Sequence, residues 1–316
     1  MSPESTTRST AWPACRLVRW AGLAAALLAV GWAGWYFGVE LPDEREAAAQ
    51  AAALAVQRAA NARTIPELNL DLVWIAPGSF LMGTPEPNFL VKWYYAARQK
   101  LTQEPNPDRN FAEERPATWV TLTHPFWLGR TAVTQGQFEA VMGFNPSAFK
   151  SVGRDAPVEC VSWENAMAFC QRLTERETAA GRRPAGYAYT LPTEAQREFA
   201  CRAGTTGDYA GDLDAMAWYA DISGGTSHPV GTKQPNAWGL YDMHGDVWEW
   251  CRDWYGPYPG GEVTNPAGPS SGTHRVVRGG CWLYGAAECR SAFRFDGGPA
   301  YLGFDLGFRV ALAPTP

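Results

Sequence analysis

The residues of this sequence most able to do chemistry are its cysteines. There are seven, and two of them, Cys281 and Cys289, lie eight positions apart in RGGCWLYGAAECRSAF. A thiolate is a nucleophile and a soft-metal ligand. A protonated, buried thiol is only a small apolar side chain. An odd count that includes Cys15, close to an apolar run, leaves disulfide pairing open. The four histidines, His124, His228, His244 and His274, include no two at metal-ligand spacing, which argues against a histidine-rich zinc or iron site. Glu113 and Glu114 are adjacent, so they should point apart and face solvent. No Gly-rich phosphate loop and no G-x-S-x-G elbow occurs. A net charge of −5 and a pI near 5.5 supply no basic field for nucleic acid.

Elements must hold these residues in place, and the composition limits which ones. In 316 residues, 46% are apolar, 19% charged and 13% aromatic, with 32 Gly and 15 Trp. That excludes a disordered chain and favours a loop-rich α+β domain pinned by tryptophan over a helical bundle or a parallel sheet. LDLVWIAPGSFLMGT reads as a strand, a Pro-Gly turn and a second strand, and WVTLTHPFWLGR alternates as another. Residues 85–114 are polar and contain Pro and Asn, so a surface insertion is expected. Thr134 with Gln137 and Thr193 with Gln196 are capping boxes that should open two helices, the first closed by Gly143 and the second ending at Gly204. Between them, Ala166, Met167, Phe169, Cys170 and Leu173 share one face of a helix beginning near Trp163. After Gly204 there is almost no helical period.

The N-terminal region has a different texture. Trp20 to Val39 is twenty residues without a charge, about 30 Å as a helix, which matches a hydrocarbon core. Trp20, Trp32, Trp35 and Tyr36 suit its interfaces. Arg8, Arg16 and Arg19 precede it, and Glu40, Asp43, Glu44 and Glu46 follow. This asymmetry predicts a cytoplasmic tail over 1–16, a single-pass anchor over 17–39 and an exported domain, periplasmic or extracellular. A cleaved signal peptide is the competing reading; the run is longer than a usual h-region, and no small-x-small site follows a short one. Residues 40–66 are Ala-rich and predict a helical stalk ended by Pro66. The domain proper is expected over 67–313.

Seven segments then occur in order: VWIAPGSFLMGT, ERPATWVTLTHPFWLGRTAVTQGQFEAVMG, PVECVSWENAMAFCQRL, YTLPTEAQREFACRAG, PNAWGLYDMHGDVWEWCRDWYG, RVVRGGCW and LGFRVAL. Together they resemble the formylglycine-generating enzyme, or sulfatase-modifying factor, family. The resemblance spans Leu70 to Leu312 and implies a C-type-lectin-like fold with little regular structure. Fold alone does not imply the oxidase activity.

Two kinds of site follow from the resemblance. The family's oxidases hold copper between two cysteines five residues apart after an RGG-Ser motif, because Cu(I) is soft and needs a pair of thiolates. Here Tyr284 occupies the first of those positions, Cys289 falls on the second only without a gap, and Cys281 replaces the serine. Cys281 and Cys289 are therefore the catalytic candidates of an oxidase reading and make a poor pair. The family also binds calcium beside the VWEW motif. By position, Glu249 would give a side-chain oxygen, Gly245 and Val247 backbone carbonyls, and Asp246 stands where the family has Asn; such a set suits a hard cation in a structural role. Asp246 and Glu249 bonding only to loop amides is the alternative.

The last forty residues split in two. RVVRGG, Arg290-Ser291-Ala292, Arg294, Pro299 and LGFRVAL read as fixed framework. Between them lie Leu283, Tyr284, Gly285, Phe293, Phe295, Asp296, Gly297, Gly298, Ala300, Tyr301, Leu302, Gly303, Phe304 and Asp305. None of these is Trp, Met, Gln, Lys or Glu, the types that a codon ending in C cannot encode. The stretch is similar to the C-terminal region of variable proteins of diversity-generating retroelements, whose codons are altered at adenines. Its Tyr, Phe and Gly content also resembles a binding paratope. The leading expectation is a membrane-anchored, non-catalytic domain that displays an aromatic surface over 281–305 to a protein or surface ligand. Its contacts would come from Trp282, Leu283, Tyr284, Phe293, Phe295, Asp296, Tyr301, Phe304 and Asp305. A divergent copper oxidase or related oxygenase is the alternative, and an accessory envelope protein a third.

Overall fold

The Ala-rich segment forms helix α1 (Glu44–Asn61). In a computed structural model, residues 44–87, 89–93 and 107–315 are described. The anchor expected over 17–39 lies outside them, and no helix among the described residues is long and apolar enough to cross a membrane. The chain divides into two units, Met1–Ala53 and Leu54–Pro316, and every strand among the described residues is in the second. The helix is shorter than the stalk expected over 40–66. Arg63–Ile65 is instead strand β1, paired antiparallel with β2 (Leu70–Ile75). The last turn of α1 is tied to the domain, where the Asn61 carbonyl accepts from Trp127 Nε1 at 2.7 Å and the Arg58 guanidinium lies over the Trp238 ring.

Two sequence stretches that read as continuous units part company in space. β2 and β3 (Gly78–Met82) enter different sheets across Ala76-Pro77. WVTLTHPFWLGR is two strands, β4 (Thr118–Leu122) and β5 (Phe126–Gly129), again in different sheets. Pro125 explains the second break, because it offers no amide hydrogen to a ladder and restricts His124 before it. Helices α2 (Gln135–Met142) and α4 (Glu194–Arg202) begin at the two capping boxes, Thr134 with Gln137 and Thr193 with Gln196; α3 (Trp163–Ala179) lies between them, capped by Ser162. Gly143 closes α2 in the left-handed region at φ 87°, and Ala203 does so for α4 at φ 47°. Strand β6 (Tyr187–Thr190) joins α3 to α4. A single helical turn, α5 (Leu213–Met216), precedes β7 (Trp248–Trp254), β8 (Gly261–Thr264), β9 (Arg275–Arg278), β10 (Arg294–Gly297), β11 (Leu306–Phe308) and β12 (Ala311–Pro314).

The main sheet has the order β1-β2-β5-β12-β6 and is buried on both faces. The period-2 alternation of a strand sends Phe126 and Leu128 of β5, with Ala311 and Ala313 of β12, to one side, where Ile75, Val120 and Phe199 pack. Trp127 and Leu312 face the other side and join Leu72, Phe138, Phe169 and Phe308. A four-stranded sheet, β10-β9-β7-β11, carries the chemistry-bearing motifs. In it Glu249 lies opposite Arg278 of β9 on one side and Gly307 of β11 on the other. A three-stranded sheet, β3-β4-β8, completes the core.

The insertion over 85–114 is not a surface loop throughout. Its end is a 3₁₀ segment (Pro107–Glu114), and Glu114 is buried, pairing both oxygens with Arg290 at 2.6 and 2.8 Å. Glu113 accepts from the Tyr255 hydroxyl at 2.9 Å. The two acids do point apart, but one points inward to a cation 176 residues on, which adjacency in sequence cannot reveal.

Candidate functional site

The turn before β7 places the residues that resemblance linked to calcium. Gly245 sits at φ 78°, and a Cβ there would lie 2.2 Å from the Trp218 carbonyl oxygen, so only glycine fits. Asp246, also left-handed at φ 63°, accepts from the His228 amide through Oδ1 at 2.9 Å, while its Oδ2 is buried without a partner. Asp242 accepts from the Gly231 amide at 2.8 Å. Burial and then the Asp242 carboxylate push Asp246 well above the carboxylate range; burial chiefly raises Asp242, to about 6. Val247 is packed against Ala132 and Trp282.

Glu249 is placed differently from what a calcium ligand requires. Both its oxygens are taken by arginine, with Arg309 Nη2 at 2.8 Å and Arg197 Nε at 3.1 Å, and all three residues are fully buried. Burial would raise this carboxyl, but the guanidiniums of Arg309 and Arg197 prevail and hold it below its ordinary range. Two positive charges against one leave no attraction for a further cation, so Glu249 does not fit that set. Asp246 differs in keeping one buried oxygen without a partner beside a second carboxylate.

The two candidate cysteines do not converge on an open site. Cys281 is fully buried in the main core cluster and donates to Asp305 Oδ2 at 3.5 Å. Cys289 is fully buried in a separate small cluster with Leu213, Ala217 and Tyr219. Burial raises both thiols, Cys289 to about 12, which disfavours the thiolates a copper ion needs. Tyr284, in the place of the first copper ligand, is exposed. Among the described residues no group of three or more His, Cys, Asp or Glu is arranged to hold a metal.

A Cys–His contact that sequence reading missed lies elsewhere in the core. Cys201 Sγ is 3.7 Å from His244 Nε2. Burial raises this thiol, and a charged His244 would overcome that and bring it down to about 6. The histidine's partners assign it as neutral, however. Nδ1 lies 2.8 Å from the Cys289 carbonyl and donates to it, and Nε2 accepts from the Ala210 amide at 3.1 Å. With both nitrogens occupied and the thiol fully buried, the pair has neither a free base nor access for a substrate.

The remaining candidates form one face. Leu283, Tyr284, Phe295, Tyr301 and Phe304 are between 42% and 55% exposed, whereas Trp282 is buried, Phe293 and Asp296 are half-buried, and Asp305 is 8% exposed. Their floor is aromatic. Trp248 stacks on Phe295 at 5.8 Å and meets Tyr284 and Phe293 at 5.9 Å each; Trp282 meets Phe304 at 5.9 Å and Phe149 at 5.3 Å. Trp248 and Phe149 belong to this site and were not foreseen. The first tryptophan of VWEW was a visible signal for Trp248, but Phe149 arrives from a loop far away in sequence.

Framework residues lie directly beneath. Arg278 is fully buried, with its carboxylate partner Glu198 from α4; Arg294 pairs with Glu194 at 2.7 and 2.8 Å, and Arg290 with Glu114. Burial and neighbouring carboxylates therefore account for the arginines that read as fixed. A depression of about 710 Å³ lies elsewhere, between the Leu68–Asp71 segment and α2, lined by Asp71, Arg130, Arg154 and Tyr241 among others. Its walls are open and of mixed charge, with no converging nucleophile.

Comparison with known proteins agrees with this geometry. Residues 56–314 match the sulfatase-modifying factor enzyme 1-like domain. The chain is 34% identical over 184 residues to the formylglycine-generating enzyme of Bos taurus, across 51% of this chain and 45% of the enzyme, so it spans less than half of that relative's length. It is 30% identical over 240 residues to chaperone protein LppX of Paenibacillus barcinonensis, across 60% of this chain and 81% of that protein. Among solved structures, Treponema denticola variable protein 1 superposes with a TM-score of 0.66 at 29% identity, over 80% of this chain and 99% of that one. By its fold, its motifs and the extent of this match, the chain belongs to the sulfatase-modifying factor family, in a form similar to a variable protein.

Proposed function

We propose that this chain is a non-catalytic display protein, held at the membrane by residues 17–39 with its domain exported, and that the face formed by Tyr284, Phe295, Tyr301 and Phe304 binds a protein or surface ligand. One observation carries the reading. Along residues 281–305 the framework side chains are buried in the core and its ion pairs, while Leu283, Tyr284, Phe295, Tyr301, Leu302 and Phe304 between them project as large aromatic and aliphatic groups over an aromatic floor. Exposed apolar clusters of this kind mark interaction surfaces, and rigid aromatic side chains give contact area at low entropic cost. The separation of Cys281 from Cys289 supports the same reading against the oxidase, since one buried thiol cannot make a copper site. A structural calcium ion at the turn before β7 would be held by Asp242 and Asp246, without Glu249.

Two measurements test this. The purified chain, supplied with Cu(I), oxygen and a sulfatase peptide containing its cysteine, is expected to form no formylglycine; copper-dependent conversion would restore the enzyme. The neighbouring DNA is expected to hold a reverse transcriptase and a near-repeat of the codons for 281–305 that differs only at adenines. Their absence removes the retroelement version.

A further inference from the structure

We infer that the aromatic face takes a cationic side chain of its partner protein, arginine in preference to lysine, set over the rings of Tyr284, Tyr301 and Phe304 and paired with Asp305. This rests on the reading that the face binds a ligand, and it adds the ligand's chemistry.

Asp305 is the reason. The residue is buried, with 8% of its surface exposed. Among the described residues no arginine, lysine or histidine forms an ion pair with it. Its side chain accepts from the Cys281 thiol, a weak donor, at 3.5 Å from Oδ2. A buried carboxylate without a counter-charge is costly, and the arginines of the framework motifs, Arg278, Arg290, Arg294 and Arg309, answer four buried glutamates. Glu114, Glu194, Glu198 and Glu249 each have an arginine. Burial raises the Asp305 carboxyl, as it does for an acid that lacks such a partner.

The surroundings suit a cation as well. Gly303 leaves the carboxylate and an aromatic ring side by side: a Cβ there would lie 2.8 Å from Asp305 Oδ1 and 2.9 Å from Tyr301 Cε1. The Asp305 backbone carbonyl accepts from the Trp248 amide at 2.8 Å, and the Trp248 ring meets that of Tyr284 at 5.9 Å, which brings Tyr284 into the same region. Aromatic faces attract guanidinium and ammonium groups, and a guanidinium also stacks flat and sheds water more easily. Charge completes the picture. Between 281 and 305 the two arginines are buried against Glu114 and Glu194, while Glu288 and Asp296 are partly exposed, so the stretch shows the solvent acidic groups and aromatic rings.

The test uses a random-peptide display library panned on the full chain. A variant in which Tyr284, Phe295 and Phe304 are replaced by Ser removes binders to other surfaces. Peptides that need the face are expected to share an arginine or lysine at a fixed position. Changing that arginine to citrulline should weaken binding about tenfold. Asp305→Asn should weaken the arginine peptide by the same factor and leave the citrulline peptide unchanged. Thermal melting verifies that Asp305→Asn folds; should it not, Glu288→Gln with Asp296→Asn gives a smaller, salt-sensitive loss. Face-dependent peptides without a cation, or an arginine peptide indifferent to Asp305→Asn, overturn the inference and leave the binding face intact. If no peptide depends on the face, both fall.

Discussion

Replacing Glu249 by Gln tests the arginine clasp beneath β7. In the native protein this carboxylate bridges Arg309 at 2.8 Å and Arg197 at 3.1 Å. Arg309 also donates to the carbonyls of Gly129 and Tyr241 at 2.8 Å, and Arg197 to that of Met243 at 3.0 Å, so neither guanidinium can leave without abandoning other bonds. The amide keeps the shape, removes the charge and turns one acceptor into a donor facing donors. Breaking a buried pair from one side costs about 3–5 kcal/mol, a large share of the roughly 5–15 kcal/mol that holds a domain folded. At about 2–4 °C per kcal/mol for a domain of this size, the melting temperature should fall by roughly 10 °C. The sign with pH is set by the lowered carboxyl: its contribution is full above the ordinary Glu pKa and disappears as pH falls through the native value. The gap between parent and E249Q should therefore be constant near neutrality and close in acid. Melting with calcium and with chelator separates the alternatives. A variant within about 1 kcal/mol of the parent refutes the clasp. So does a chelator that lowers the parent by as much as the substitution does while sparing E249Q, because Glu249 would then be a cation ligand.

Asp253 gives a pH effect of opposite sign. It is buried, accepts from the Glu194 amide at 3.0 Å, and is raised to about 7 by burial and then by the Glu194 charge. Its contribution is full below the ordinary Asp pKa and lost as pH rises through about 7, so the parent should lose on the order of 2–4 kcal/mol between about pH 4 and 8 by this route; urea titrations of D253N should lack that slope. Replacing Tyr284, Phe295, Tyr301 and Phe304 together by Ser should shift the melting temperature by only a few degrees, since all four are about half exposed; a collapse in circular dichroism would show that they hold the fold. Gly245→Ala should be severely destabilising, because its Cβ would lie 2.2 Å from the Trp218 carbonyl oxygen; near-parental melting would contradict the close approach of these two backbones.

Much of the fold was legible where local rules decide it. Thr134 with Gln137 and Thr193 with Gln196 announce their helices because a capping box is satisfied within four residues. The sheets were not legible, since β2 and β3, like β4 and β5, are neighbours in sequence yet separate in space, and alternation says nothing about partners. For the site, residue types separated the buried framework arginines from the exposed Leu283, Tyr284, Phe295, Tyr301 and Phe304, but did not show that Trp282 and Asp305 are buried. Glu114 was misread as facing solvent, and the pairing of Glu249 was not visible, for a common reason: each is neutralised by arginines from distant segments, Arg290 in one case, Arg197 and Arg309 in the other. A carboxylate looks available until its counter-charge is located.

The order of strands in the main sheet bears on how the domain completes its fold. β12 lies between β5 and β6, so the piece made after the display stretch is the keystone of a layer whose other strands precede it. That layer cannot close until Ala311–Pro314 has been synthesised, and its completion waits on long-range pairing. A frameshift or stop arising within 281–305 would leave β5 and β6 with unpaired, aggregation-prone edges. Completion of the layer is thereby tied to topology: only chains translated through Pro314 can close it.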